Sequence, residues 1–236
     1  MPLLSNFGIY SKVPLNIFQC YNKQLLDDNI NNNIRTIKDY NPEFNYFFFD
    51  ELNDCKKFIF DNYPDNVYNA YNQLNSNEYK NDLWKYCILY KYGGIYIDTK
   101  FYCNYKLINF IDNNFFASEI DYYNNKLLIY LGFIITKPNN PIFLRAINTI
   151  IYNIKNNYYG ISEKYPTSSG LLGSIFSINR LKSNLIYDGI NIKYKNDIIM
   201  KRNTQIKKKD YYKLLWLSKN IYKCQKVLTY ISPIPT

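Results

Sequence analysis

The sequence predicts an α/β fold, a mixed and mainly parallel sheet flanked by helices. Two observations predict it. Short β-branched and aromatic runs alternate with segments whose apolar residues recur at helical spacing, giving the order β-α-β-α-α-β over residues 15–97. Strands joined by helix-length crossovers pair in parallel. In mid-chain a helix also runs into Gly93-Gly94, a short apolar strand and Asp98, and open α/β sheets bind ligands at the carboxyl ends of their strands.

Leu15–Cys20, after Lys12-Val13-Pro14, reads as the first strand. Asn29–Asp39 carries Ile30, Ile34 and Ile37 at helical spacing and is broken by Asn41-Pro42. Phe44–Phe49 is an aromatic second strand that ends on Asp50-Glu51. Leu52–Tyr63 reads as a helix closed by Pro64, and Val67–Leu74 as a short helix leading into the central one. There Asp82 and Lys85, three apart, share a face, while Leu83, Trp84, Cys87, Ile88 and Tyr90 fill the rest. Gly93 stops this helix, because glycine readily takes the left-handed C-cap conformation. Ile95-Tyr96-Ile97 is the next strand, and Asp98-Thr99-Lys100 follow at once. By pattern alone the stretch equally suits plain scaffold with Asp98 capping a turn.

Beyond it, Phe101–Phe110 forms one segment, and Phe115–Ala117 and Leu127–Thr136 read as strands. Pro141 opens a helix whose apolar stripe is Phe143, Leu144, Ile147, Ile150 and Ile151, ending at Asn157–Gly160. Pro166–Gly173 places small residues ahead of an apolar helix. That suits a loop whose N–H groups and hydroxyls face an anion, or an ordinary Ser/Thr cap. Leu185–Tyr194 has a mixed pattern. No repeat or linker appears, so residues 1–236 read as one domain.

Composition narrows the function classes. The chain has no histidine, and its five cysteines (Cys20, Cys55, Cys87, Cys103 and Cys224) form no CxxC, which speaks against zinc sites and histidine-dependent catalysis. A reducing compartment is the simpler reading. No stretch approaches the roughly 20 apolar residues of a membrane helix, and residues 1–14 lack the features of a signal peptide. The expected location is therefore cytoplasmic, leaving room for peripheral membrane association. Net charge is +10, and residues 193–226 hold eleven Lys/Arg against two Asp. Such a run is usually a solvated helical face, yet it also attracts anions. No nucleic-acid-binding module is recognisable, so nucleic acid is not an expected partner.

The central stretch resembles the glycosyltransferase "sugar-binding region containing DXD motif" family (family 32), which includes initiating mannosyltransferases and is similar to glucosylating bacterial toxins. Asn81, Asp82, Leu83, Trp84, Tyr86, Leu89, Tyr90, Tyr92, Gly93, Gly94, Ile95, Tyr96 and Asp98 meet its pattern in order. Pro14, Ile17 and Gln19 resemble its opening strand, with Phe18 in place of histidine. Gly132–Ile135 with Pro138 and Pro141, Pro166–Leu172, and Tyr211 through Trp216 to Tyr222 resemble later segments. Lys85 departs from the family's Arg, and Lys100 from its second Asp, as in an Asp-x-Lys branch.

The resemblance implies a single GT-A-like (Rossmann-like) domain with the basic segment 193–226 inside it. It also implies transfer of a hexose from a UDP- or GDP-sugar to a glycan or glycoprotein acceptor, with retained configuration. A catalytically inactive, carbohydrate-binding relative is the alternative. Asp98 and Lys100 take the catalytic positions. Donor sugar and nucleotide fall to Asp82, Lys85, Tyr86, Gly93, Gly94, Tyr96, Gln19, Ser168, Ser169, Gly170 and Trp216. In the family the second Asp binds a divalent metal, usually manganese, and a lysine cannot. Either the Lys100 ammonium replaces the metal's charge, or manganese or magnesium is held through Asp98 and the phosphates alone, or the donor site is silent.

Overall fold

The computed structural model describes residues 12–121, 126–206 and 211–223. The first part comprises β1 (Asn16–Tyr21), α1 (Asp28–Tyr40), β2 (Asn45–Asp50), α2 (Asp54–Asn62), α3 (Asp65–Gln73), α4 (Asn77–Tyr92) and β3 (Gly94–Ile97). The order is β-α-β-α-α-α-β, one helix more than the expected β-α-β-α-α-β because the short helix at 65–73 stands apart from the central one, and boundaries agree within a residue or two. The segment at 101–110 divides into β4 (Phe101–Cys103) and a 3-10 turn at Leu107–Phe110. Next come β5 (Phe115–Asp121), β6 (Lys126–Thr136), α5 (Pro141–Lys155) and α6 (Ser169–Ile178). Then follow β7 (Leu185–Tyr187), β8 (Asn191–Tyr194), β9 (Asp197–Arg202) and α7 (Tyr211–Leu217).

The nine strands among the described residues form one sheet in the order β2-β1-β3-β6-β5-β7-β8-β9-β4. The sheet is mixed, but it is not mainly parallel. Three of its pairings are parallel, β1 with β2, β1 with β3 and β5 with β7. Five are antiparallel. Chain economy explains the difference. The parallel strands β1, β2 and β3 are joined by helices, whereas β5–β6, β7–β8 and β8–β9 are joined by a few residues each, which return a chain only in the antiparallel sense.

The basic run also departs from expectation. Residues 191–202 are the β8–β9 hairpin, and among the described residues of the segment only Tyr211–Leu217 is helical. Residues 207–210 and 224–226 of that run, Cys224 and residues 1–11 lie outside the described residues. Among the described residues no helix is long and apolar enough to cross a membrane.

The core lies on both faces of the sheet, and β3 divides between them. Tyr96 packs with α2 through α6, whereas Ile95 and Ile97 join Ile17, Ile37, Phe101, Phe133 and Met200 on the other side. Helix α4 is buried nearly all round, with Leu83, Trp84, Tyr86, Cys87, Ile88 and Leu89 fully inaccessible, as a helix without a clear polar face must be. Ser76 caps its start, accepting from the Tyr79 N–H at 3.3 Å, and Gly93 caps its end at φ +59°. A Cβ at Gly93 would lie 2.5 Å from the Pro138 nitrogen, and one at Gly94 would lie 2.6 Å from the Asn16 carbonyl oxygen. The two glycines thus let the chain turn tightly from α4 into the centre of the sheet, which delivers Asp98 to its carboxyl end.

Candidate active site

Asp98 begins a turn whose backbone is held from three directions. Its N–H donates to the Gly132 carbonyl at 2.8 Å, Asn33 Nδ2 donates to the Thr99 carbonyl at 2.9 Å, and the Asn203 N–H donates to the Lys100 carbonyl at 2.7 Å. The position therefore depends on β6, α1 and the end of β9 together. Above the turn opens a cleft of about 490 Å³, within the size range of small-molecule sites.

The Asp98 carboxylate is fully engaged. Oδ1 meets Lys85 Nζ at 3.3 Å and accepts from the Tyr96 hydroxyl at 2.9 Å. Oδ2 meets Lys100 Nζ at 3.0 Å and accepts from the Tyr130 hydroxyl at 3.4 Å. Burial opposes the charge, but Lys85 and then Lys100 outweigh it and hold the carboxyl well below the usual range. Burial likewise opposes the Lys85 ammonium, and Asp98 with Asp82 reverses that, raising its pKa. Lys85 also lies over the Tyr96 ring, 4.6 Å from its centroid.

Asp82, one helical turn before Lys85, is the opposite case. Burial dominates and pushes its carboxyl up to about 6, only partly offset by Lys85 and by hydrogen bonds from Thr167 and Ser168. The Thr167 hydroxyl donates to Asp82 Oδ2 at 2.8 Å. Two hydroxyls of the Pro166–Gly173 segment thus face a carboxylate of the protein itself. The nearby charges are Lys164, paired at 3.4 Å with Glu119, and the Arg202 guanidinium, which hydrogen-bonds the Tyr187 side chain. Tyr187 stacks on Tyr130 with ring centroids 3.9 Å apart.

Of the residues singled out from sequence, Asp82, Lys85, Tyr96, Asp98, Lys100, Ser168 and Ser169 line this one cleft. The others lie outside its wall. Gln19 is fully buried; its amide donates to the Ile97 carbonyl at 3.1 Å and accepts from the Tyr46 hydroxyl at 2.7 Å. Tyr86 is buried too, donating to the Thr167 carbonyl at 2.9 Å, so it braces the segment that reaches Asp82. Gly93 and Gly94 sit at the far end of β3, and Gly170 packs against the Tyr165 ring. Trp216 donates through Nε1 to the Tyr159 carbonyl at 2.7 Å. Sequence reasoning missed Glu51, Asn81, Glu119, Tyr130, Lys164, Tyr187 and Arg202, which also line the cleft. Tyr130 had a signal, since it stands two residues before the recognised Gly132-Phe133 pair; Arg202 had none beyond the unassigned basic run.

The donor set does not suit a divalent metal. Both Asp98 oxygens already serve an ammonium and a phenol, a cation occupies position 100, and no group of three metal-ligating side chains converges among the described residues.

The curled mixed sheet with helices on its faces and a charged cleft at the end of β3 is a glycosyltransferase-like, GT-A-type fold. Residues 27–119 match the family described as "Glycosyltransferase sugar-binding region containing DXD motif". Among solved structures the chain is similar to "PaToxG Glycosyltransferase", at 15% identity over 72% of this chain and 70% of that one, with a TM-score of 0.56. It is also similar to the catalytic domain of alpha-toxin from Clostridium novyi, at 11% identity over 75% of this chain and 66% of that one, with a TM-score of 0.41. No curated protein matches the chain.

Proposed function

We propose that the chain is a single-domain, nucleotide-sugar-dependent glycosyltransferase that moves a hexose from a UDP- or GDP-sugar to a glycan or glycoprotein hydroxyl with retained configuration. The observation that carries this is Asp98 at the carboxyl end of β3, clamped between Lys85 and Lys100 on the floor of a cleft in a GT-A-type fold. The family match over 27–119 supports the same reading.

Glycosyl transfer breaks the bond from the anomeric carbon to the diphosphate and forms one to the acceptor oxygen. The acceptor's proton passes to the departing phosphate oxygen in a same-face displacement. Such a reaction needs positioned donors for the leaving charge. In this reading Lys100 supplies positive charge at the diphosphate, and Asp98 fixes both lysines in place. Asp82 binds the transferred sugar, and Ser168 and Ser169 line its far side. Tyr96 holds the Asp98 carboxylate. Gln19, Tyr86, Gly93, Gly94, Gly170 and Trp216 act as supports of these residues.

The test is nucleotide release from UDP-glucose, UDP-galactose, UDP-N-acetylglucosamine, GDP-mannose and GDP-fucose. One donor is expected to turn over, and Asp98→Asn is expected to lower that rate at least a hundredfold while circular dichroism stays that of a folded chain. Turnover undiminished in the variant would remove Asp98 from the mechanism. Silence on every donor, with glycan binding retained, would make the chain a carbohydrate-binding relative.

A further inference from the structure

The guanidinium of Arg202 lines the cleft with its Nε buried and without a hydrogen-bond partner. Buried donors are almost always satisfied, so this guanidinium lacks part of its usual set of partners within the protein. Among the described residues Arg202 forms no salt bridge, whereas Lys85 and Lys100 share Asp98 and Lys164 has Glu119. It is therefore the cleft cation whose charge is least spoken for. It also lies close to the Asp98 turn. Arg202 pairs with Phe101 across the β4–β9 ladder, and the next residue, Asn203, donates its N–H to the Lys100 carbonyl. The stacked Tyr130–Tyr187 pair bridges the two cations, with Lys100 Nζ 5.4 Å from the Tyr130 centroid and Arg202 bonded to the Tyr187 side chain.

We infer that Arg202 and Lys100 together form a two-cation clamp for the donor's diphosphate, taking its charge without a divalent metal. The inference rests on the nucleotide-sugar reading above and assigns to it a residue that the recognised motif does not contain. Chemistry favours the division of labour. Arginine presents a planar fork that engages two phosphate oxygens at once, while lysine is a point charge. With Asp98 shared between two ammonium groups, that cluster carries one net positive charge, and Arg202 adds a second against the doubly to triply charged diphosphate.

The test compares the affinities of UDP, UMP, GDP and GMP for the full chain by titration calorimetry, in EDTA and in manganese. The wild-type chain should bind one diphosphate more tightly than its monophosphate, to the same extent in both buffers. Arg202→Met should reduce that advantage at least tenfold, and Arg202→Lys should restore part of it. An advantage that survives in Arg202→Met, or that appears only with manganese, would overturn the clamp while leaving the transferase reading in place. Wild-type protein that binds none of the four nucleotides would overturn both.

Discussion

Two carboxylates sixteen residues apart in sequence share one cleft, and their surroundings shift them in opposite directions. Asp98, between two ammonium groups, stays ionised far into acid, whereas at Asp82 burial outweighs the Lys85 charge and the Thr167 and Ser168 hydroxyls, and it titrates at about 6. An ordinary aspartate in the unfolded chain titrates at about 4. The folded chain therefore holds the Asp82 proton to higher pH than the unfolded chain does. The stability this gives is complete below about 4 and is lost as pH rises through about 6. Chemical denaturation of the native chain and of Asp82→Asn should show it. The native chain loses stability relative to the variant between those pH values, by on the order of 3 kcal/mol, at about 1.4 kcal/mol per pH unit. A difference that stays flat across this range would mean that Asp82 is not buried as an acid. If Asp82 binds the sugar as an anion, donor affinity should climb over the same range and level off above it.

At the scale of elements, the hinge from α4 into β3 tolerates little change. Gly93→Ala forces a side chain onto φ +59° and drives a Cβ to 2.5 Å from a backbone nitrogen, so neither the turn nor Pro138 can give way cheaply. The expected loss is about 2–4 kcal/mol, read as a lower thermal midpoint, with activity falling in step because Asp98 hangs from the same strand. A midpoint within a degree or two of the native one would show that the hinge can be rebuilt. This hinge was legible in the sequence because its chemistry is local: a capped apolar helix, two glycines, a short strand and a carboxylate. So were the α1 and α5 stripes. The β8–β9 hairpin was not, because Lys193, Lys195, Lys201 and Arg202 look like any basic surface until the pairing partner of β4 is known. The burial of Gln19 and Tyr86 was equally hidden, since each is a polar group satisfied by backbone carbonyls far away in sequence.

At the scale of the whole molecule, the cleft draws on distant parts of the chain. Its walls come from β1, α4, β3, β5, β6, the α6 entry and the β7–β9 region. The last described residues close the assembly: Tyr222 bridges to Leu74, and the Lys223 N–H donates to the Gln73 carbonyl at 2.8 Å. A sequence pattern names the parts of such a cleft but not their meeting, which is why the central motif was readable and the cationic rim was not. Fragments of increasing length make this measurable. Those ending before Asp197 should retain helical circular dichroism yet bind no nucleotide, and those reaching past Tyr222 should bind it. Nucleotide binding by a fragment that lacks β9 would show that the strand is dispensable.

The sheet order carries a consequence for biosynthesis. Asp98-Thr99-Lys100 leave the ribosome about a hundred residues before Asn203, whose N–H fixes the Lys100 carbonyl, and β4 waits equally long for β9. Contacts so distant in sequence form late, after the local helices and the β1–β2 pairing have been made. A nascent chain therefore displays its most recognisable motif early while its cation pair is still unassembled. On the proposed reading, capacity to hold a charged donor arrives as one of the final events of folding.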